Sequence, residues 1–196
     1  NGKELYNIES DKGQKNNIAE KNPEKVAEMR AFYEEWWNEV SVDFDKEIYF
    51  TVGSEVENPI TLTCHDIHAD NGNQPWNQVA IRNGDQGKGY WCVNITKEGK
   101  YKVSLRRYPI ESDLEINGTI PAITTKELPG LERELPAGKI MNYKKASIKI
   151  GELKETVKVS KSAKSADFII DWKAWKTRKN ANFYDRRGNK NVAYYV

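Results

Sequence analysis

The sequence predicts a mainly β fold: an antiparallel β-sandwich, jelly-roll-like, preceded by a small strand-plus-helix α/β segment. Three observations predict it. Trp91, Val93 and Ile95 alternate with Tyr90, Cys92 and Asn94, and after Lys97-Glu98-Gly99 the alternation resumes at Tyr101, Val103 and Leu105. Successive strand side chains point to opposite faces, so this pattern reads as an antiparallel hairpin with one face buried under another layer. About ten short strand candidates follow one another with turn residues between them, the spacing of a two-sheet architecture rather than a parallel sheet. Six tryptophans, ten tyrosines and five phenylalanines supply large buried areas to a chain whose apolar fraction is only 38%, which argues against disorder.

Taken in order, Leu5 to Ile8 reads as a short strand and Asp11, Gly13 and Asn16 as a polar turn. A helix follows. Asn22 is placed to cap it, Pro23 suits its first turn, and Val26, Met29, Tyr33, Trp36, Trp37 and Val40 recur at three- and four-residue spacing, forming an apolar stripe that needs a covering surface. The first unit is therefore expected to span 1–43 and the β-rich unit 44–196. In the latter, Glu47 to Val52 and Ile60 to Cys64 are strand candidates, HDIHADNGNQPW is irregular, and Gln78 to Arg82 leads through Asn83-Gly84-Asp85 into the hairpin. Asn117-Gly118, Pro121, Pro129-Gly130 and Pro136 interrupt the next stretch too often for long elements. Strand pattern returns at Ala146 to Ile150 and Glu155 to Val159, then at Phe168, Ile170, Trp172 and Trp175, the last two around a Lys173-Ala174 break, at Phe183-Tyr184, and at Val192 to Val196.

The 196 residues carry a net charge of +2, but residues 139–196 hold 15 basic and 5 acidic side chains against 16 and 24 before them. That basic last third could attract a polyanion, or its lysines could simply wet the solvent faces of strands. Cys64 and Cys92 permit one disulfide and form no CxxC metal pattern. No apolar run approaches the roughly 18 residues of a membrane span, and the first residues lack a signal-peptide pattern. The abrupt, strand-like start ELYNIES is expected of a chain cut from something longer.

Two polar constellations could carry chemistry. His65, Asp66, His68 and Asp70 lie near Trp76, Asn77 and Gln78; His65 and His68 flanking Asp66 could ligate a metal or hydrogen-bond a sugar stacked on the indole, although H-x-x-H lacks a third spaced ligand. Alternatively they are ordinary loop residues. Arg106, Arg107, Trp172, Trp175 and Lys176 could bind sulfate or carboxylate beside an indole plane; the competing reading puts Arg107 in a structural ion pair and Trp172 in the core. Asn94-Ile-Thr96 and Asn117-Gly-Thr119 match the glycosylation acceptor pattern. Nucleophile triads and phosphate loops have no candidates, and the aromatics show no RNA-binding pattern.

The segment ELYNIESDKGQKNNIAEKNPEKVAEMRAFYEEWW resembles the region near the carboxyl end of bacterial arylsulfatases through Leu5, Tyr6, Ile8, Asp11, Asn17, Ile18, Ala19, Pro23, Glu24, Val26 and Trp36. GYWCVNITKEGKYKVSLRRYP and the closing NVAYYV are similar to the β-rich tail of some of those enzymes, with Tyr108 where the family tends to have tryptophan and Val192 where glycine is usual. The resemblance implies the non-catalytic carboxyl-terminal region of a sulfatase, periplasmic or secreted, packed on a catalytic domain of the same polypeptide. The family's C/S-x-P-x-R motif, source of the formylglycine, is absent: Cys64 precedes HDIH and Cys92 precedes VNIT. Formylglycine and calcium are thus expected only in a catalytic domain outside this chain. No catalytic residue or metal is expected here, and His65, Asp66, His68, Trp76, Asn77, Gln78, Arg106, Arg107 and Trp175 are candidates for a substrate rim or ligand edge. An autonomous module for acidic or sulfated glycans is the alternative; a hydrolase using His65 or His68 with Asp66 is a third reading.

Overall fold

The computed structural model describes residues 3–70, 72, 74–127 and 134–196; the Pro129-Gly130 turn signal, and Asn71 and Asn73 of the polar loop, lie outside them. The chain divides into two units, Asn1–Glu47 and Ile48–Val196.

The first unit is built on α1 (Pro23–Val40), with Pro23 in its first turn. Asn22 stands at the cap position, but its amide donates to the Ile18 carbonyl at 2.9 Å instead of capping the helix. Lys25–Glu28 and Arg30–Glu34 ion pairs line the polar side. The expected apolar stripe is present and uncovered: Met29, Phe32, Tyr33, Trp36 and Trp37 are 37–73% exposed, and no α1 residue is buried. Tyr33, Trp36, Trp37 and Phe44 cluster, with the Trp37 and Phe44 rings edge to face at 5.1 Å. The strand expected at Leu5–Ile8 does not form. A strand needs a partner strand for its backbone groups, and here the Asn17 carboxamide takes that place, accepting from Leu5 N–H at 3.0 Å while Ile18 N–H donates to the Leu5 carbonyl.

The second unit is β-rich. In chain order it contains β1 (Phe50–Val52), β2 (His68–Ala69), the short helix α2 (Gln78–Asn83), β3 (Gly89–Ile95), β4 (Gly99–Leu105), β5 (Lys145–Ile150), β6 (Leu153–Lys158), β7 (Ala166–Trp172), β8 (Trp175–Tyr184) and β9 (Lys190–Val192). Seven strands make one sheet in the order β1-β3-β8-β5-β6, with β2 added to β3 and β9 to β8; β4 and β7 make a two-stranded sheet. Pairing is antiparallel except between β1 and β3, which run parallel.

The alternation that predicts a hairpin is real, but β3 and β4 do not pair. β3 lies between β1 and β8, whereas β4 crosses to β7 in the other sheet. Period-two burial demands only that a strand have one apolar face; it does not say which strand lies beside it. The inward residues are those expected, with Trp91, Val93, Ile95, Val103 and Leu105 buried, and they join Phe168, Ile170, Trp172, Ile148, Ile150 and Phe183 in one hydrophobic cluster fed by both sheets. The Ile60–Cys64 candidate is extended but is not a strand of either sheet: Leu62 exchanges backbone hydrogen bonds with Val196, and Thr63 bridges Tyr195.

A buried charge lies on this inner face. Lys179 of β8 stands opposite Trp91 and Ile150, is 3% exposed, and holds its ammonium 5.1 Å from the Trp91 ring centroid. Burial lowers its pKa from 10.5 to about 7, since the charged form loses its hydration. Between those values the unfolded chain keeps a proton that the folded chain has shed, so stability rises with pH across the interval and the full cost is carried below about pH 7. Lys179→Met is expected to raise stability near neutral pH. It should also abolish a gain on the order of 2 kcal/mol between about pH 6.5 and about pH 8.5 in the native chain, read by urea unfolding; identical pH slopes for the two proteins would contradict it.

Candidate functional site

Residues 63–66 and 74–78 are tied to one another by side-chain hydrogen bonds. Thr63 and Asp66 form a capping box around the single turn Cys64–Asp66: the Asp66 carboxylate accepts from Thr63 N–H at 2.7 Å and from the Thr63 hydroxyl at 3.0 Å. Gln74 donates to the Cys64 and His65 carbonyls at 2.8 and 2.6 Å. His65 Nε2 bonds the Trp76 carbonyl. The Trp76 backbone is thereby tied to His65, while its indole remains 67% exposed. Asn77 caps α2, its side chain accepting from Ala80 N–H at 2.9 Å, and Gly84 closes the helix at φ 69°, a left-handed value suited to glycine. Gln78 is exposed at the start of that helix. The six-residue helix is too short for apolar periodicity to reveal; the cap asparagine and terminal glycine are its sequence signal.

His68 points elsewhere. It sits opposite Tyr90 across the β2–β3 pair, the two rings stacked at 5.3 Å, and the Arg178 guanidinium lies 4.5 Å from the same Tyr90 ring. The His65–Asp66–His68 group therefore does not converge: one histidine holds Trp76, the carboxylate holds Thr63, and the other histidine lies on a tyrosine. Among the described residues no three His, Cys, Asp or Glu side chains gather as a metal ion requires.

The second constellation is taken apart by register. Trp172 pairs with Gly99 at one end of the β4–β7 ladder and Leu105 with Ala166 at the other, so Arg106 and Arg107, which follow Leu105, stand roughly 20 Å from Trp172 at strand rise. Trp172 is buried in the core, and Trp175, 45% exposed, packs against Gly151. Arg106 joins Tyr195 in a backbone bridge and reaches the Lys164 carbonyl.

Arg107 is wholly buried, and among the described residues no ion pair holds it. Its five N–H donors go to four backbone carbonyls: Nε and Nη2 to Ile81, Nη2 to Arg82, and Nη1 to Gly118 and Lys139, at 2.8–3.3 Å. The guanidinium also lies over the Tyr108 ring at 4.8 Å. Buried Arg82 repeats the device, giving Nη1 to the Pro121 and Pro136 carbonyls at 2.7 and 2.8 Å. Irregular backbone has orphan carbonyls that no ladder satisfies, and a planar fork reaches several of them at once. Arg107 is thus a structural staple, inaccessible to an external anion.

Cys64 and Cys92 are buried and no disulfide joins them; burial pushes the Cys64 thiol up to about 11, away from the range of reactive thiolates. Asn117 is buried and bonded through both side-chain atoms to the Tyr143 backbone, so it is closed to glycosylation in the folded chain. A cleft of about 190 Å³ is lined by residues that include Gly84, Met141, Asp185 and Lys190. It is below the roughly 300–1,000 Å³ of small-molecule sites, and none of the candidate site residues lines it.

These contacts separate structural from chemical roles. Arg107→Lys should cost about 3 kcal/mol or more in chemical denaturation, because an ammonium cannot reach four carbonyls and the unmet groups stay buried; a loss below about 1 kcal/mol would refute the staple. Asp66→Ala should lower stability by about 1 kcal/mol, the value of a cap, and a thermal melt unchanged by it would remove Asp66 from that role. No family model, curated protein or solved structure matches the chain.

Proposed function

We propose that the chain is a non-catalytic carboxyl-terminal region of a sulfatase, which steadies a catalytic domain of the same polypeptide and shapes one rim of its substrate cleft. The observation that carries this is the uncovered aromatic face of α1, where Met29, Phe32, Tyr33, Trp36 and Trp37 meet solvent, in the segment whose residues resemble the end of an arylsulfatase. Exposed aromatics at helical spacing are costly unless something covers them, and the proposed occupant is that domain. The parent enzyme would hydrolyse sulfate esters with its own formylglycine and calcium. In this reading the seven-stranded and two-stranded sheets are the two leaves of an accessory β-sandwich, jelly-roll-like, supported by the single core to which both contribute. Its compartment would be periplasmic or extracellular.

Binding of an acidic or sulfated glycan by the β-rich unit is the second reading, favoured by the exposed Trp76 indole and the basic composition of residues 139–196. Hydrolysis by His65 or His68 with Asp66 has no support in the geometry, since the three side chains are engaged separately.

The reading frame upstream of Asn1 is expected to encode C/S-x-P-x-R, and Trp36→Ser with Trp37→Ser should lower the melting temperature of the whole enzyme by several degrees more than that of the present chain. An upstream frame without that motif sinks the sulfatase assignment, and an unchanged whole-enzyme melt sinks the docking role of α1.

A further inference from the structure

The outer face of the seven-stranded sheet has a charge pattern that packing does not require. Register places Lys149 opposite Lys154 and Lys145 opposite Lys158 on β5 and β6, with Ser147 and Thr156 paired between them. On β8 the same face carries Lys176, Arg178, Asn180, Asn182 and Tyr184, with Asn180 opposite Lys149 and Tyr184 opposite Lys145; Lys190 of β9 pairs with Tyr184. The face therefore presents seven cations, and no residue that these strands or β3 contribute to it is acidic. Among the described residues Lys145, Lys149, Lys154 and Lys158 are exposed and take part in no ion pair. The acidic residue of β6, Glu155, pairs with buried Ile148 and so belongs to the opposite face.

Two like-charged pairs set directly across neighbouring strands are destabilising. Lysines on the edge strand β6 discourage edge-to-edge pairing, but β5 is an interior strand, lying between β6 and β8, where that protection has no purpose. The two lysine pairs stand four residues apart along the strands, about 13 Å at strand rise, with the exposed Thr156 hydroxyl between them. This is a flat lattice of point cations, each with three donors, matched to a chain carrying repeated anionic groups. The aromatic rings at this face are already engaged and offer no free platform for unstacked bases: Tyr184 is half-buried with its hydroxyl accepting from Ser147, the Tyr90 ring carries His68 and Arg178, and the half-buried Tyr49 ring carries Lys176.

We propose that this face, centred on Lys145, Lys149, Lys154 and Lys158, binds a sulfated polysaccharide, the lysines pairing with sulfate groups and Thr156 donating to the sugar backbone between them. The assignment rests on the glycan-binding reading and gives it a location. Calorimetric titration of the full chain with dextran sulfate and with uncharged dextran, at low and at raised salt, tests it. Binding is expected for dextran sulfate alone, weakening as salt rises. Lys149→Glu with Lys154→Glu should weaken it at least tenfold with an unchanged melting temperature, and Lys149→Arg with Lys154→Arg should restore it. Lys12→Glu with Lys21→Glu, the same change of net charge in the first unit, should leave it intact. No binding by the native chain overturns both the face and the glycan reading. Binding that survives the Lys149/Lys154 reversal, or that falls equally with the Lys12/Lys21 reversal, overturns the face alone. Equal affinity for duplex DNA at matched salt overturns the polysaccharide as its partner.

Discussion

The arrangement of this protein depends on one buried cation. Arg107, just past the end of β4, holds the carbonyls of Ile81, Arg82, Gly118 and Lys139 with all of its donors. Those carbonyls belong to the last turn of α2 and to two passages of the long connection between β4 and β5. Among the described residues that connection forms no strand of either sheet and has only isolated bridges, so many of its polar groups need partners from elsewhere if it is to lie against the core. A guanidinium supplies them without a carboxylate, because several carbonyl dipoles together stabilise one delocalised charge. Arg82 extends the same solution to Pro121 and Pro136. Regular sheet and irregular crossing are thereby fastened into one body.

The two sides of the seven-stranded sheet treat charge in opposite ways. On the inner side Lys179 is desolvated over Trp91, an expense that the surrounding apolar burial absorbs. On the outer side Lys145, Lys149, Lys154 and Lys158 stay exposed, and the cost is mutual repulsion. The first is paid by the protein's own core; the second is relieved by any anion that settles on the face. Alternation along β8 produces both, because Lys179 and Arg178 are neighbours in sequence and opposites in space.

Much of the architecture was legible in the residues. The apolar alternation of β3, β4 and β7, the break at Lys173-Ala174, and the helix opened by Pro23 all stand where local pattern puts them, since each depends on a period of two or about 3.6 that neighbouring residues display by themselves. Strand partnership was not legible. Lys97-Glu98-Gly99 resembles a hairpin turn, yet it carries the chain from one sheet to the other, and Leu5–Ile8 has strand-forming residues without a strand to join. The same limit applied to the candidate sites. Histidine, aspartate and tryptophan close together in sequence look like a constellation, but Asp66 turned to Thr63, His65 to the Trp76 carbonyl and His68 to Tyr90. The basic sheet face could not be seen as such either, because Lys145 meets Lys158 only when a register brings thirteen residues of separation to direct opposition.

The sequence by itself determined which apolar strand residues go inside, where the long helix lies, that the composition turns basic in the last third, and that no sulfatase nucleophile motif is present. Those are properties of side-chain type and short-range periodicity, and they survive whatever the rest of the chain does. Tertiary structure decided which strands pair, that Arg107 is a staple and not an anion receptor, and which lysines share a face. These depend on contacts between distant segments, whose geometry is set by packing the whole core at once and by the need of every buried carbonyl and N–H for a partner.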